Sequence, residues 1–245
     1  MKNNPVDDIR LGFSCYDPRK TMPVPFIPYP YQERMIRELV IDISVGNILD
    51  RRYIHSPHIG VTWTMVAVID WFCRVVPASF LCVSRTLNYA EMLQEKFIYL
   101  QEHYAGDPGK GYENKDCLCM NRDTGSRVKF ASVGQRGLGK GNRYTAVFFD
   151  SVDAWDKGIL KDAMRMTRDC AKVRIAENRG AFNFDGLFDG WETRKIFWWE
   201  CPEYTEGLYF DMESKRWRSK WYDRQIEIRM MPEVDMCIDM EKEEE

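Results

Sequence analysis

The sequence predicts a three-layer α/β fold with a mostly parallel sheet and an inserted hairpin, on three observations. Apolar runs of strand length alternate with segments of helical period, which is typical of parallel sheets whose strands are joined by helices. The strand 52–55 leads through a glycine-containing loop into a helix that is apolar nearly all round. The apolar strand 145–150 ends in an aspartate. Continuous apolar strands of this kind are buried on both faces of a sheet.

Hydrophobic periodicity and turn residues predict the elements in order. The first thirty residues are rich in proline and are predicted to form an extended arm packed over the body of the protein. The turn Arg122-Asp123-Thr124-Gly125 joins two apolar segments and predicts the hairpin. Helices are predicted at 31–48, 62–76, 86–104, 159–175 and 219–231, strands at 52–55, 79–83, 117–121, 126–132, 145–150 and 195–199, and loops at 105–116 and 178–191.

Composition excludes several classes of protein. The 245 residues can build one large α/β core, and 44% hydrophobic with 30% charged residues exclude wholesale disorder. A net charge of -3 gives no global attraction to nucleic acid, so any DNA contact needs a local basic patch. No apolar run approaches the length of a membrane span, and the N-terminus does not resemble a signal peptide. We expect no membrane partner and no secretion.

Cysteine and histidine do not predict a metal centre. The eight cysteines contain no C-x-x-C pair, so reduced thiols in an intracellular protein are expected. His55 and His58 are spaced like metal ligands, but the third histidine, His103, lies far along the chain on a predicted helix. A zinc site is not expected.

The loop after the first strand has most parts of a phosphate-binding loop. Such a loop needs a glycine for close backbone approach, a hydroxyl for the metal and a helix whose N-terminal amides face the anion. Gly60, Thr62 and the helix that follows supply these parts. The lysine or arginine that neutralises the terminal phosphates is absent, and His55, Pro57 and His58 surround its place.

A second candidate site lies at the end of the strand 145–150, which we expect to be the parallel neighbour of the strand 52–55, with Gly60 and Asp150 at one sheet edge. Asp150 stands where nucleoside-triphosphatases place a carboxylate near magnesium, at the carboxyl edge of the sheet. The next residue, Ser151, holds the place of a glutamate that positions the attacking water, and it cannot act as a general base without an activating group. A basic, glycine-rich loop at 134–143 precedes this strand, and its cations are Arg136, Lys140 and Arg143.

Six segments of the chain carry a family resemblance through their order. They are Pro28-Tyr29-Pro30-Tyr31-Gln32, Gly60-Val61-Thr62-Trp63, the strand 80–86, Arg136-Gly137 with Arg143-Tyr144-Thr145-Ala146, Trp199-Glu200-Cys201-Pro202, and Trp221-Tyr222 with Val234-Asp235-Met236. In this order they resemble the ATPase domain of the large terminase subunit, the DNA-packaging motor of tailed phages. The resemblance spans roughly residues 28–241.

The resemblance implies ATP and magnesium as cofactors and assigns a role to each matching residue. It places Gln32 on the adenine, the amides of 58–62 on the phosphates, and Thr62 with Asp150 on magnesium. It places one of the loop cations Arg136, Lys140 and Arg143, as an arginine finger, across a subunit boundary. The implied nucleotide-binding set is Tyr31, Gln32, His55, His58, Ile59, Gly60, Val61, Thr62 and Trp63, and the implied coupling residues are Cys201 and Pro202.

The resemblance also implies partners and a division into domains. Double-stranded DNA at the basic loop, the portal, the small terminase subunit and a homo-oligomeric ring are expected in the cytoplasm of an infected bacterial host. The expected division is an arm at 1–30, a terminase-like ATPase domain at 31–217, and a helix with an acidic tail at 218–245. No room remains for the family's nuclease domain.

Departures from the family pattern predict weak or absent ATP hydrolysis. The family's loop lysine and arginine align with His55 and Pro57, its catalytic glutamate with Ser151, and its coupling threonine with Cys201. A neutral imidazole cannot replace a permanent cation on a triphosphate, and losing both charged groups costs several orders of magnitude in rate. The alternative is a non-enzymatic, terminase-derived subunit that binds DNA or motor partners, and a third possibility is a nucleotide sensor that binds but does not cleave. A rescue cation reaching the Gly60 loop would discriminate the enzyme from the non-enzymatic subunit, and the candidates are Lys140, Arg51 and Arg52.

Simpler interpretations stand beside these roles. Gln32 can be an ordinary exposed residue at the start of a helix. Thr62 can be the cap of the helix that follows, which is compatible with a metal contact. The cations of the basic loop can belong to a solvated connection, with odds close to even.

Overall fold

The computed structural model describes residues 4–16, 22–45, 50–107, 109–135, 138–139, 142–179, 186–207, 209–213 and 216–218. The predicted C-terminal helix at 219–231 lies outside this range, and so do Arg136 and Lys140 of the basic loop.

A mixed sheet of eight strands forms the centre of the fold. Its spatial order is β10-β3-β9-β8-β4-β7-β6-β5, and the six strands from β10 to β7 run parallel, whereas β6 and β5 are antiparallel. The predicted fold class is confirmed, with the hairpin at one edge of the sheet. The strands of this sheet are β3 Arg51–His55, β4 Ser79–Ser84, β5 Tyr112–Lys115, β6 Leu118–Asn121, β7 Arg127–Ser132, β8 Tyr144–Phe149, β9 Ala171–Arg179 and β10 Glu192–Ile196.

Helices cover both faces and make the predicted three layers. One face carries the larger core, which the first four helices bury, and the other carries a smaller core with α5 and residues 152–155. Two further two-stranded ribbons lie outside the main sheet. The helices are α1 Pro5–Gly12, α2 Pro30–Val45, α3 Val61–Val75, α4 Leu87–Glu102, α5 Lys157–Thr167 and α6 Pro202–Thr205, and the ribbon strands are β1 Ser14–Cys15, β2 Val24–Pro25, β11 Tyr209–Asp211 and β12 Arg216–Arg218.

The predicted extended arm is wrong at its beginning. Residues 5–12 form α1, which is capped by the Asn4 side chain accepting from the Val6 N–H at 3.1 Å and has proline at its first position. Val6 and Ile9 are buried in the larger core. Because α1 packs into that core, it is part of the α/β body.

The segment 159–175 was predicted as one helix, and that prediction is wrong in its second half. The helix α5 ends at Thr167, and 171–179 forms β9, which pairs with β3 on one side and β8 on the other. The predicted loops at 105–116 and 178–191 also contain the strand β5 and the end of β9. The strand predicted at 195–199 is shifted, because β10 ends at Ile196 and a 3-10 turn follows at Trp198–Glu200.

Three parallel strands bring the two predicted sites to one edge of the sheet. We expected the first strand and the strand before Asp150 to be neighbours, and this is wrong because β9 lies between β3 and β8. All three run parallel, so His55, Asp150 and the end of β9 share the carboxyl edge. The part of the chain that the structure describes holds no helix that is long and apolar enough to cross a membrane.

Candidate functional site

The loop between β3 and α3 has the backbone of an anion-binding turn. Gly60 precedes α3 with φ of 79°, and His58 has φ of 61°, a left-handed conformation that L-residues rarely adopt. A side chain at Gly60 would be strained by this φ, and its Cβ would lie 2.8 Å from Nε2 of Gln32, so the Gln32 amide would have to move. The first amides of the 15-residue helix α3 therefore open onto this loop without a capping side chain.

The side chains of Gln32 and Tyr31 fix this loop through hydrogen bonds to its backbone. The Tyr29 N–H donates to Oε1 of Gln32 at 2.8 Å, and Nε2 of Gln32 donates to the Ile59 carbonyl at 3.4 Å. The Tyr31 hydroxyl donates to the same carbonyl at 2.5 Å. Gln32 is 5% exposed, so it is not the exposed helix-start residue of the simpler interpretation. Its amide fixes the loop through backbone partners.

The predicted coupling segment lies against the same loop. Cys201 is buried, and its thiol is hydrogen-bonded to the Tyr31 side chain. Pro202 begins α6, from which the Tyr204 hydroxyl donates to the Pro57 carbonyl at 3.1 Å. Cys201 and the helix that Pro202 begins are thus linked to the phosphate-type loop through Tyr31 and Tyr204.

Glu177 is the central residue of this site, and the sequence analysis missed it. It lies on β9 between the two predicted sites and is 1% exposed. One carboxylate oxygen, Oε2, is hydrogen-bonded to Nε2 of His55. The other, Oε1, accepts from the backbone N–H of Ser151 at 2.9 Å, from its hydroxyl at 3.2 Å and from the Thr62 hydroxyl at 3.5 Å. Glu177 therefore joins the phosphate-type loop to the residue after Asp150.

Asp150 and Ser151, which follow β8, are the remaining residues of the site at the carboxyl edge of the sheet. Asp150 is 9% exposed, accepts from the Ser84 hydroxyl at 3.2 Å and is hydrogen-bonded to Glu177. Ser151 has φ of 50°, a left-handed conformation. Both its backbone N–H and its hydroxyl donate to Glu177, so a carboxylate from β9 lies beside Ser151.

His55 is built to carry a charge. Its Nδ1 faces the Ser56 carbonyl at 2.7 Å and its Nε2 faces Glu177, so both ring nitrogens must donate, and only the imidazolium does so. Burial lowers the pKa of His55, but the Glu177 carboxylate outweighs it and raises the pKa above the usual value. The sequence analysis treated His55 as a neutral imidazole, and this is wrong. Its positive charge is paired with Glu177.

Burial and mutual coupling shift the two acids in opposite directions. Burial and the neighbouring Glu177 raise the pKa of Asp150 well above its usual value. Burial also acts to raise the pKa of Glu177, but the His55 imidazolium and the hydrogen bond from Asp150 hold it at about 2. Asp150 is therefore the acid of the pair that takes up a proton first as pH falls, and Glu177 is the counterion of His55.

The rescue cations that we considered do not reach the loop, where the structure describes them. Arg51 binds Asp42 and Glu192, and Arg52 donates to Asn178 at 2.7 Å while its guanidinium stacks on Phe188. Both residues lie at the start of β3, away from the Gly60 loop.

Two further cations, Lys96 and Arg143, lie toward opposite edges of the sheet. Arg143 precedes β8, about 20 Å from Asp150 at the strand rise of about 3.3 Å per residue, so it does not reach Asp150 within its own chain. Lys96 on α4 is half-buried and lies close enough to Asp150 to lower that residue's pKa. The sequence analysis missed Lys96 because nothing in a helical period marks it.

These residues fit a magnesium ion and a phosphate group. Thr62 is the second residue of α3, behind the Gly60 cap, so its hydroxyl has no capping role there. That hydroxyl and the carboxyl of Asp150 both contact Glu177, and hydroxyl and carboxylate oxygens are the ligands that magnesium prefers. Among described residues, no group of three or more acidic, histidine or cysteine side chains forms a ready-made metal site. Magnesium would therefore need oxygen atoms from its nucleotide.

Comparison with known proteins identifies the fold. No family model and no curated protein matches the chain. The HK97 bacteriophage large terminase is similar over 71% of this chain and 36% of its own, with 10% identity and a TM-score of 0.53. Further similar structures are the large terminase of a thermophilic bacteriophage in complex with ATP-gamma-S (14% identity, 71% and 46% covered, TM-score 0.48) and the Pyrococcus furiosus Hef helicase domain (14%, 75% and 41%, 0.49).

The likeness to HK97 terminase concerns the fold alone. At 10% identity it confirms the predicted resemblance and the sheet architecture. The chain spans about a third of the length of the HK97 terminase chain.

Proposed function

We propose that this chain is a terminase-type nucleotide-binding domain that works in viral DNA packaging and hydrolyses ATP weakly or not at all. The observation that carries the proposal is the meeting of Thr62, Asp150 and Glu177 at one sheet edge beneath the N-terminus of α3. This is where open α/β sheets bind ligands, and helix N-termini favour phosphate.

The residues of the site divide the work of holding a nucleotide. The amides at the start of α3 and the open backbone at Gly60 accept the phosphates, while Gln32 and Tyr31 fix the loop conformation. Thr62 and Asp150 hold magnesium, which would screen phosphate charge when bound. Lys96 on α4 supplies a cation on the side of Asp150. ATP is the nucleotide that the fold resemblance favours.

Weak hydrolysis follows from how Glu177 is bonded. A general base must reach an attacking water, and Glu177 is buried with hydrogen bonds from His55, Ser151 and Thr62. A pKa of about 2 also makes Glu177 a poor proton acceptor at neutral pH. The His55 imidazolium is paired with Glu177 and does not face the phosphate loop as a free cation. The site is therefore suited to binding more than to turnover.

The second candidate is a terminase-derived subunit that binds DNA or motor partners and no nucleotide. The observation in its favour is the closed network itself, because His55 and Glu177 satisfy each other without a ligand. For both candidates we propose, on the resemblance alone, the same partners and location. The partners are the portal, the small terminase subunit and further copies of the chain in a ring, and the location is the host cytoplasm. The division into domains at residues 30 and 217 is likewise proposed from the resemblance.

A nucleotide titration with and without magnesium separates the two candidates. We expect ATP to bind the parent protein in the presence of magnesium and to bind more weakly in its absence. The variant Gly60→Ala places a Cβ 2.8 Å from Nε2 of Gln32 and obstructs the loop, so its ATP affinity should fall at least tenfold.

The matched control for this variant is Gly190→Ala. Gly190 has the same φ of 79°, but a Cβ there meets nothing within 4 Å. Both variants therefore carry the cost of a left-handed alanine, about 1 kcal/mol, and only the first obstructs the site. Equal ATP binding by both variants, or no binding by the parent, would support the subunit without nucleotide.

A further inference from the structure

A groove of about 580 Å³ opens at the edge of the sheet opposite to the nucleotide site. Its walls are the starts of parallel strands, including Ser79 at the start of β4, Arg127 at the start of β7 and Tyr144 at the start of β8. The chain before β8, at 142–143, closes one side. The groove and Asp150 are separated by the length of β8, about 20 Å.

The charge of this groove is one-sided. Arg127, Lys129 and Arg143 line it, and none of its lining residues within the described chain is acidic. None of the three makes an ion pair with an acidic side chain that the structure describes. This contrasts with a chain whose acidic residues outnumber its basic ones by 38 to 35. The patch is the local basic surface that a protein of net charge -3 needs for a polyanion.

The sheet face under the two strand cations is open. Lys129 is opposite Leu118 and Arg127 is opposite Met120 in the β6–β7 pair, so these four side chains share one face. Leu118 and Met120 are half-buried, whereas the alternating Val128 points into the larger core. The smaller core on the open face includes residues of β4, β7, β8 and β9 but none of β5 or β6. Arg127 and Lys129 therefore lie beside the apolar side chains of Leu118 and Met120, on a surface that leaves room for a ligand.

The spacing of the strand cations suits a phosphate backbone. Arg127 and Lys129 are two residues apart on one strand face, about 6.6 Å at the strand rise. One strand of duplex DNA advances about 3.4 Å per phosphate, so this interval spans about two phosphates. Arg143 lies across the groove and can contact a third phosphate. Ser79 and Thr145 also line the groove, but the Thr145 hydroxyl already accepts from the Ser79 N–H at 3.0 Å.

We infer that this groove binds the phosphodiester backbone of duplex DNA without reading its sequence. The choice of duplex DNA among polyanions rests on the proposed function, whereas the groove does not depend on a nucleotide. Two aromatic residues line the groove: Tyr144 is 5% exposed and hydrogen-bonded to Asn142, and Phe80 is fully buried. The described lining therefore offers no aromatic platform on which unpaired bases could stack. A duplex contact at this edge leaves the carboxyl edge free for nucleotide.

The inference also refines the predicted role of the basic loop. We predicted Arg143 as a DNA contact or an arginine finger. Of the three cations of the basic loop, it is the one within the described chain, and it lines the groove. It acts there together with Arg127 and Lys129, which belong to a different segment and carry no motif. The DNA site is therefore a property of the folded sheet.

The test is the salt dependence of duplex binding by the full chain. The variant Arg127→Gln/Lys129→Gln/Arg143→Gln keeps much of the side-chain length and removes three charges. We expect a duplex of about 20 base pairs to bind the parent and to bind this variant at least tenfold more weakly at low salt. The slope of log K against log salt should become shallower by about 0.9 for each lost phosphate contact. Arg143→Gln alone, in an exposed position before β8, should shift the slope by about one contact.

The matched control is Arg37→Gln/Lys110→Gln/Lys161→Gln, which changes the net charge equally at exposed positions outside the groove. It should bind the duplex like the parent. Equal duplex binding by the groove variant and the control overturns the inference, and so does tighter binding of a single strand of the same length. ATP titrations of the same samples keep the two proposals apart. Loss of duplex binding with intact ATP binding supports the groove, and duplex binding without any ATP binding contradicts the proposed function alone.

Discussion

Nε2 of His55 is hydrogen-bonded to the carboxylate of Glu177 on the next strand, at the carboxyl edge of the sheet. Both side chains are buried, and the second ring nitrogen of His55 is satisfied by the Ser56 carbonyl. An ion pair of this kind persists only if each partner neutralises the other, because a buried lone charge is costly. The positive charge of His55 is therefore paired within the protein.

The first prediction concerns the stability of this pair. Glu177→Gln removes the negative charge and leaves His55 without a counterion. We expect the free energy of unfolding to fall by about 3 kcal/mol at pH 6, where breaking a buried pair costs about 3–5 kcal/mol. The loss should shrink at pH 9, since His55 can then remain neutral. Urea unfolding of both proteins measures it.

Its control is Glu95→Gln, at an exposed position of α4. Surface charges contribute little, so this variant should unfold within about 0.5 kcal/mol of the parent. An unfolding free energy of Glu177→Gln that matches the control at pH 6 would show that the pair is not a structural necessity.

Much of the fold followed from the sequence because its signals are local. The strands β3, β4 and β8 and the helices α2, α3 and α4 were predicted within a few residues, since apolar runs and helical period mark them. The helix predicted at 62–76 ends at Val75 in the structure, two residues before Pro77.

The central residue of the site was not predictable in the same way. In β9 the residues Val173, Ile175 and Glu177 alternate with Arg174 and Ala176, a strand pattern that the sequence analysis absorbed into a longer helix. A charged residue within a buried strand contradicts any rule based on hydrophobicity, and its partner His55 lies 122 residues away. Only the pairing of β3 with β9 brings the two charges together.

The second prediction concerns Asp150 and pH. Its folded-state pKa is raised by burial and by Glu177, so the folded protein binds a proton that the unfolded chain loses near its ordinary value of 3.8. The parent's unfolding free energy therefore falls as pH rises above 3.8 and stops falling above the folded-state pKa. Asp150→Asn keeps the shape and lacks this titration. We expect the variant to gain stability relative to the parent between pH 4 and pH 8, as measured by urea unfolding.

Glu177 and His55 also titrate, but their titrations do not hide this effect. The pKa of Glu177 is lowered to about 2, so its contribution is present above 4.5 and is lost as pH falls toward 2. The pKa of His55 is raised, so its contribution is present below 6.5 and is lost as pH rises through the raised value. Both remain in Asp150→Asn. A stability difference between parent and variant that stays constant from pH 4 to pH 8 would contradict the raised pKa of Asp150.

The third prediction connects the same proton to metal binding. Magnesium needs the ionised carboxylate of Asp150, whose pKa is raised by burial and by Glu177. Binding of magnesium with ATP should therefore release protons from Asp150 at a pH below its raised pKa and become tighter as pH rises. Calorimetry in two buffers with different ionisation enthalpies measures the released protons. Asp150→Asn should release none, and a parent that also releases none would place the metal elsewhere.

The last prediction is that ATP hydrolysis stays near background, even with DNA present, and that His55→Lys together with Ser151→Glu does not recover it while Glu177 is present. A lysine introduced by His55→Lys would lie beside Glu177 and pair with it. Ser151→Glu would place a glutamate at φ of 50°, which costs about 1 kcal/mol or more. We therefore expect measurable turnover only when Glu177→Gln accompanies both changes, because that substitution frees the lysine for phosphate. Steady-state phosphate release from the parent, the double variant and the triple variant is the measurement, and Asp150→Asn in the triple variant is the control that should abolish it. Robust magnesium-dependent hydrolysis by the parent, lost in Asp150→Asn, would show instead that Lys96 or another cation completes the site.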